Sequence, residues 1–147
     1  MQNGDTVTIL LVEDDMGHAE IVLRNFEDSR VANRIVHVTD GQAALDYLFR
    51  VDGYTDTVVY PMPNMILLDL RLPKVDGLEV LRNIKANEHL RQIPVVVLTT
   101  SEGESDRRKA YEYGANSYLV KPVSFEKFSQ MLETFCFYWL AWNRLPD

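Results

Sequence analysis

The chain has 147 residues, the usual size of one domain, with 46% hydrophobic and 25% charged residues, as in ordinary soluble globular proteins. A formal charge of −7 argues against non-specific nucleic-acid binding, because a phosphate backbone repels it on average. No apolar run approaches the roughly 20 residues that span a membrane, residues 1–5 lack the basic and apolar regions of a signal peptide, and the lone Cys136 excludes an internal disulfide, so a cytoplasmic location is expected.

In chain order, β-branched and apolar runs predict strands over residues 7–12, 34–39, 64–70, 93–99 and 116–120. ILLV, MILLDL and VVVL are apolar at nearly every position, which suits strands buried on both faces of a parallel sheet. Between the strands lie helical spacings: Ala19, Val22, Leu23 and Phe26, then Gly77, Val80, Leu81 and Ile84. Thr39 with Gln42, Asp76 with Glu79, and Ser101 with Glu104 read as capping boxes opening the second, third and fourth helices. Residues 51–63 are the longest connection and are expected as a surface loop. Gly114 suits a left-handed helix end. An aromatic helix over about 124–142 completes a (βα)₅ α/β fold, a doubly wound parallel five-stranded sheet in one domain across 1–147.

The chemistry-bearing residues lie at strand ends. Glu13 and Asp14 follow the first strand, and Asp69 lies near the end of the third. Open α/β sheets bind ligands beyond the carboxyl ends of the strands, where the strand order reverses. If the order is 2-1-3-4-5, the first and third strands are neighbours and the three carboxylates converge. Such packing repels strongly unless a cation relieves it, and a hard ion such as Mg²⁺ takes oxygen ligands of this kind. Thr99 ends the fourth strand with a hydroxyl and Lys121 follows the fifth with an ammonium. A phosphoryl group on Asp69 needs a metal, a hydroxyl and a cation around its oxygens. Taken alone, Asp14 or Asp15 equally suits a helix cap. His18, His37 and His89 share no metal-ligand spacing; His37 suits the core or an edge, and His18 could face the acidic edge. Neither a Gly-rich phosphate loop nor a Ser/His/Asp set is present.

The segments ILLVEDD (9–15), ILLDLRLPKVDG (66–77), PVVVLTTS (94–101) and GANSYLVKP (114–122) resemble, in order and spacing, the receiver domain of two-component response regulators, across almost the whole chain. The resemblance implies a flavodoxin-like receiver fold with Asp69 as phosphoacceptor. It implies Mg²⁺ bound by Asp14 directly, by Glu13 through water, by Asp69 and by the Arg71 backbone carbonyl. Thr99 would be the switch hydroxyl, Tyr118 the aromatic side chain that follows it, and Lys121 the partner of the phosphoryl oxygens. The Lys121–Pro122 bond is expected to be cis, a state open mainly to X–Pro bonds. Arg71 and Ser101 flank the route of attacking water and should tune the phosphate lifetime. The 51–63 loop and aromatic tail look like regulators paired with cyanobacterial phytochrome histidine kinases. With no output domain after the fifth helix, a single-domain regulator is expected.

In the tail, Phe125, Phe128, Leu132, Phe135 and Trp139 form one helical stripe suited to docking on the sheet. Met131, Phe137, Tyr138 and Trp142 lie off it. They read either as a wide core face with a few exposed aromatics or as a second apolar face, which symmetric dimers commonly bury. A homodimer through the fourth helix, fifth strand and fifth helix is therefore expected. The leading functional expectation is a phosphorylation-controlled switch, fed by a partner kinase's phosphohistidine and assisting only its own phosphotransfer and dephosphorylation. Its polar fourth helix is a candidate bistable element. Two other classes stay open: a metal-dependent phosphohydrolase with an aspartyl-phosphate intermediate, in which Arg71 occupies the place of the usual leaving-group acid, and a phosphate-independent binding module.

Overall fold

The computed structural model describes residues 6–29 and 32–142. Strands β1 (Val7–Val12), β2 (Asn33–Val38), β3 (Met65–Leu68), β4 (Val95–Thr99) and β5 (Ser117–Val120) alternate with helices α1 (Met16–Glu27), α2 (Gly41–Leu48), α3 (Gly77–Ala86), α4 (Glu104–Glu112) and α5 (Phe125–Cys136). All strand pairs are parallel, as the apolar runs predict, and the order is β2-β1-β3-β4-β5, the order that the receiver resemblance implies. Successive side chains of a strand point to opposite faces, so each run feeds two cores. Leu10, Val12, Ile66, Leu68, Val95 and Val97 face α2 and α3; Ile9, Leu11, Met65, Leu67, Val96 and Leu98 face α1 and α5. No helix among the described residues is long and apolar enough to cross a membrane.

The capping boxes do not form. Asp40, one residue past Thr39, caps α2 by accepting from the Ala43 amide at 2.7 Å. Asp76 is at the N-cap of α3 but makes no side-chain bond there, and α4 begins after Gly103. A carboxylate beside the first turn reaches an orphan N–H more readily than a β-branched hydroxyl one residue earlier, which explains Asp40 over Thr39. Gly114 does adopt positive φ, at 102°.

The loop between α2 and β3 is less of an excursion than its length suggests. Buried Tyr47 packs against Tyr54 and Tyr60, with ring centroids 5.4 and 5.8 Å away, while the Arg34 guanidinium donates to the Val58 and Val59 carbonyls. The loop is thereby tied to the edge strand β2, leaving Val58 and Val59 exposed.

The aromatic tail departs from one continuous α-helix: residues Phe137–Trp142 are π-helical. The Trp139 ring lies against Phe135 at 5.7 Å and Tyr138 at 6.0 Å, so wider winding accommodates a run of bulky neighbours. Phe128, Leu132, Phe135 and Cys136 bury against the sheet, whereas Phe125, assigned to that stripe by spacing, is exposed at the first turn of the helix. Met131 is half-buried against the core. Of the expected second face, Phe137 (63% exposed) and Tyr138 (54%) remain in solvent, and the Trp142 side chain lies outside the described residues.

Candidate functional site

Glu13 and Asp69 each follow the last residue of a strand, and Val12 pairs with Leu68 in register, so the two carboxylates emerge side by side. Asp14 follows Glu13, and oxygens of Glu13, Asp14 and Asp69 lie within 4.8 Å of one another. Glu13 (1% exposed) and Asp69 (6%) are buried, while Asp14 opens to solvent. Asp15 supplies the cap of α1, accepting from the His18 amide at 3.0 Å, which frees Asp14 for the cluster. Gly77 brings α3 tightly behind this edge: a Cβ there would overlap the Asp69 carbonyl oxygen.

Lys121 supplies the buried cation. Its ammonium donates to Glu13 Oε1 at 2.5 Å and Asp69 Oδ2 at 3.0 Å, and lies 3.0 Å from His18 Nδ1. These three partners match the three protons of an ammonium. His18 thus belongs to the site, and its ring also meets Phe128 edge-on at 5.7 Å. His37 holds the other side of Glu13, with Nε2 2.7 Å from its carbonyl oxygen.

Burial raises Glu13 to about 7, with Lys121 offsetting only part of the cost and Asp69 adding repulsion. Burial also pushes Asp69 upward, but Lys121, the Thr99 hydroxyl and the Arg71 amide together hold it below the ordinary carboxylate value. Three carboxylates against one ammonium leave an excess of negative charge at this edge. This hard, oxygen-only donor set with a surplus of charge fits a divalent cation such as Mg²⁺.

Thr99 is fully buried at the end of β4. Tyr118 is half-buried and donates its hydroxyl to the Ser101 carbonyl at 3.0 Å. The Lys121–Pro122 bond corrects the expectation of a cis peptide: the described residues contain none. Trans is the lower-energy isomer even before proline, and with it the Lys121 ammonium reaches both carboxylates. Arg71 and Ser101 meet through a residue that the sequence reading did not single out. Asp106 Oδ2 lies 2.7 Å from the Arg71 guanidinium and 2.6 Å from Ser101 Oγ. The pairing spans 35 positions, so its only local trace is an acid in the first turn of α4.

Residues 9–133 match the family model of the response regulator receiver domain. The chain is 52% identical over 142 residues to the probable methanogenesis regulatory protein FilR2 of Methanothrix harundinacea, covering 97% of this chain and 89% of that one. It is 41% identical over 138 residues to response regulator Rcp1 of Synechocystis, covering 94% and 92%. The crystal structure of Mn²⁺-bound Rcp1 superposes with a TM-score of 0.92 at 40% identity, covering 96% of this chain and 99% of that one. The phosphorylated cyanobacterial phytochrome response regulator RcpA superposes with a TM-score of 0.92 at 36% identity, covering 97% and 100%.

Proposed function

The chain belongs to the response regulator receiver family, and from that premise we propose that Asp69 is the phosphoacceptor of a two-component signalling switch. The observation that carries the assignment is the convergence of buried Glu13 and Asp69 with solvent-facing Asp14, with Lys121 3.0 Å from Asp69. A carboxylate oxygen of Asp69 attacks the phosphorus of a phosphohistidine on a partner kinase. The P–N bond breaks as the new P–O bond forms, and the imidazole leaves with the electron pair and takes up a proton. Glu13, Asp14, Asp69 and the Arg71 carbonyl would hold Mg²⁺, which supplies charge neutralisation to the phosphoryl oxygens when bound. Lys121 exchanges one carboxylate contact for a phosphoryl oxygen, and buried Thr99 donates its hydroxyl to another. Tyr118 responds through the loop that contains Ser101.

Purified protein incubated with Mg²⁺ and a small phosphodonor should gain one phosphoryl mass, and Asp69→Asn should gain none. An increase that survives this substitution sinks the assignment.

The cognate kinase is a histidine kinase of the phytochrome type on the strength of likeness to Rcp1 and RcpA. The name of the 52% identical FilR2 points to another input, so phosphotransfer profiling against both kinds of kinase is the deciding measurement. The protein acts in the cytoplasm, and its charge of −7 argues against nucleic-acid contact. It forms a homodimer through α4, β5 and α5, supported by the exposed Phe137 and Tyr138. Sedimentation at micromolar concentration showing only monomer, with and without phosphorylation, removes the dimer.

A further inference from the structure

We propose that Asp106 is a positioning residue that ties Arg71 to Ser101 across the approach to Asp69 and so prolongs the phosphorylated state. The proposal rests on the reading of Asp69 as phosphoacceptor. Arg71 lies in the loop that leaves β3 two residues after Asp69, and Ser101 lies in the loop that leaves β4 two residues after Thr99. β3 and β4 are neighbours, so these loops stand side by side over the carboxyl edge. A single oxygen, Asp106 Oδ2, receives both the Arg71 guanidinium at 2.7 Å and the Ser101 hydroxyl at 2.6 Å. Two charge-assisted bonds converging on one carboxylate oxygen restrict both side chains more than either bond alone.

Both ends of the bridge lead inward. The Arg71 amide donates to Asp69 Oδ1 at 3.3 Å, and the Ser101 amide donates to Thr99 Oγ1 at 3.3 Å. The Ser101 carbonyl accepts from Tyr118, and Ser101 Oγ also accepts from the Gly103 amide at 3.4 Å, where α4 begins. Asp106 therefore connects the phosphoacceptor loop, the switch hydroxyl and the first turn of α4. Loss of the phosphoryl group is hydrolysis: a water oxygen bonds to phosphorus as the P–O bond to Asp69 breaks. Asp69 recovers its carboxylate and inorganic phosphate leaves with both water protons. With Arg71 and Ser101 drawn together, the opening through which that water approaches is narrowed. Releasing them widens it.

The test follows phosphoryl loss by intact mass after removal of the phosphodonor, in the presence of Mg²⁺. Asp106→Ala should be labelled at the same initial rate as wild type but lose the group about three- to tenfold faster. Arg71→Ala should accelerate loss similarly, and the double substitution should be no faster than the faster single one. Asp106→Glu, which keeps a carboxylate, should retain most of the wild-type lifetime. A merely structural role for Asp106 would lower the thermal midpoint and leave the decay rate unchanged, and that result overturns the proposal. So do slower decay, multiplicative effects of the two alanines, or Asp106→Glu behaving like Asp106→Ala. Wild-type protein that gains no mass at all overturns the reading of Asp69 and this proposal with it.

Discussion

The carboxyl edge around Asp69 and the helix α4 beside it are built on opposite terms. At the edge, Glu13, Asp69, Thr99 and Lys121 are buried polar groups at the ends of hydrogen-bonded strands. Helix α4 carries eight charged or hydroxylated side chains among its nine residues and buries Ala110 alone. Neighbouring α3 buries Gly77, Val80, Leu81 and Ile84 over about the same length. The site is costly in electrostatic terms but stiff, whereas α4 costs little to place and is easily moved. An aspartyl phosphate carries roughly two negative charges where the Asp69 carboxylate carried one, and the strands around it have little freedom to respond. The response falls to the element with the fewest apolar anchors.

That contrast can be broken at several points. The largest effect is expected at Glu13. Glu13→Gln removes a carboxyl that burial holds protonated up to about 7, so without metal at pH 8 it should stabilise the fold by about 2 kcal/mol. It should also abolish most of the stabilisation by Mg²⁺. Denaturant titration with and without the ion checks both, and a destabilised Gln variant would show that the edge is not electrostatically strained.

Next comes the softness of α4. Amides of residues 104–112 should exchange with solvent at least about tenfold faster than those of residues 77–86, since local opening follows the apolar area that is lost. Equal protection would remove α4 as the responsive element.

A smaller effect follows from pH. Burial raises Glu13 in the folded protein above the ordinary glutamate value of 4.5, so its contribution to stability is complete below about 4.5 and is lost as pH rises toward about 7. Asp69 acts in the opposite sense, its contribution fading as pH falls below the ordinary carboxylate range. Because a proton on Glu13 competes with a cation, Mg²⁺ should stabilise the protein more at pH 8 than at pH 6, by about 1 kcal/mol. Thermal melts across that range measure the difference.

The smallest effect belongs to the surface of α4. Arg108→Ala removes an exposed ion pair with Glu104 of 3.5 Å and should cost less than about 0.5 kcal/mol.

Much of this was legible in the residues. Each apolar run ends at the residue that does the chemistry: ILLV at Glu13, MILL at Asp69 and VVVL at Thr99, so finding the strands also found the site. The helix starts were less legible. Thr39, Asp40, Ser101 and Gly103 all offer plausible caps, and one residue of register decides which carboxylate or hydroxyl meets an N–H. Phe125 and Met131 exchanged roles for a similar reason: helical spacing assigns a face, but the angle at which α5 meets the sheet decides which side chains the core covers.

From the sequence alone came the five strands, the acidic trio with Thr99 and Lys121, and the resemblance to receivers. These depend on periodicity and on residues adjacent to strand ends, which are properties of contiguous chain. Only the tertiary structure decided that Lys121 meets His18 as well as both carboxylates, that the Lys121–Pro122 bond is trans, and that Asp106 joins Arg71 to Ser101. Each depends on groups brought within hydrogen-bond range across tens of residues, or on a backbone isomer that differs by only about 1 kcal/mol, and neither leaves a local pattern to read.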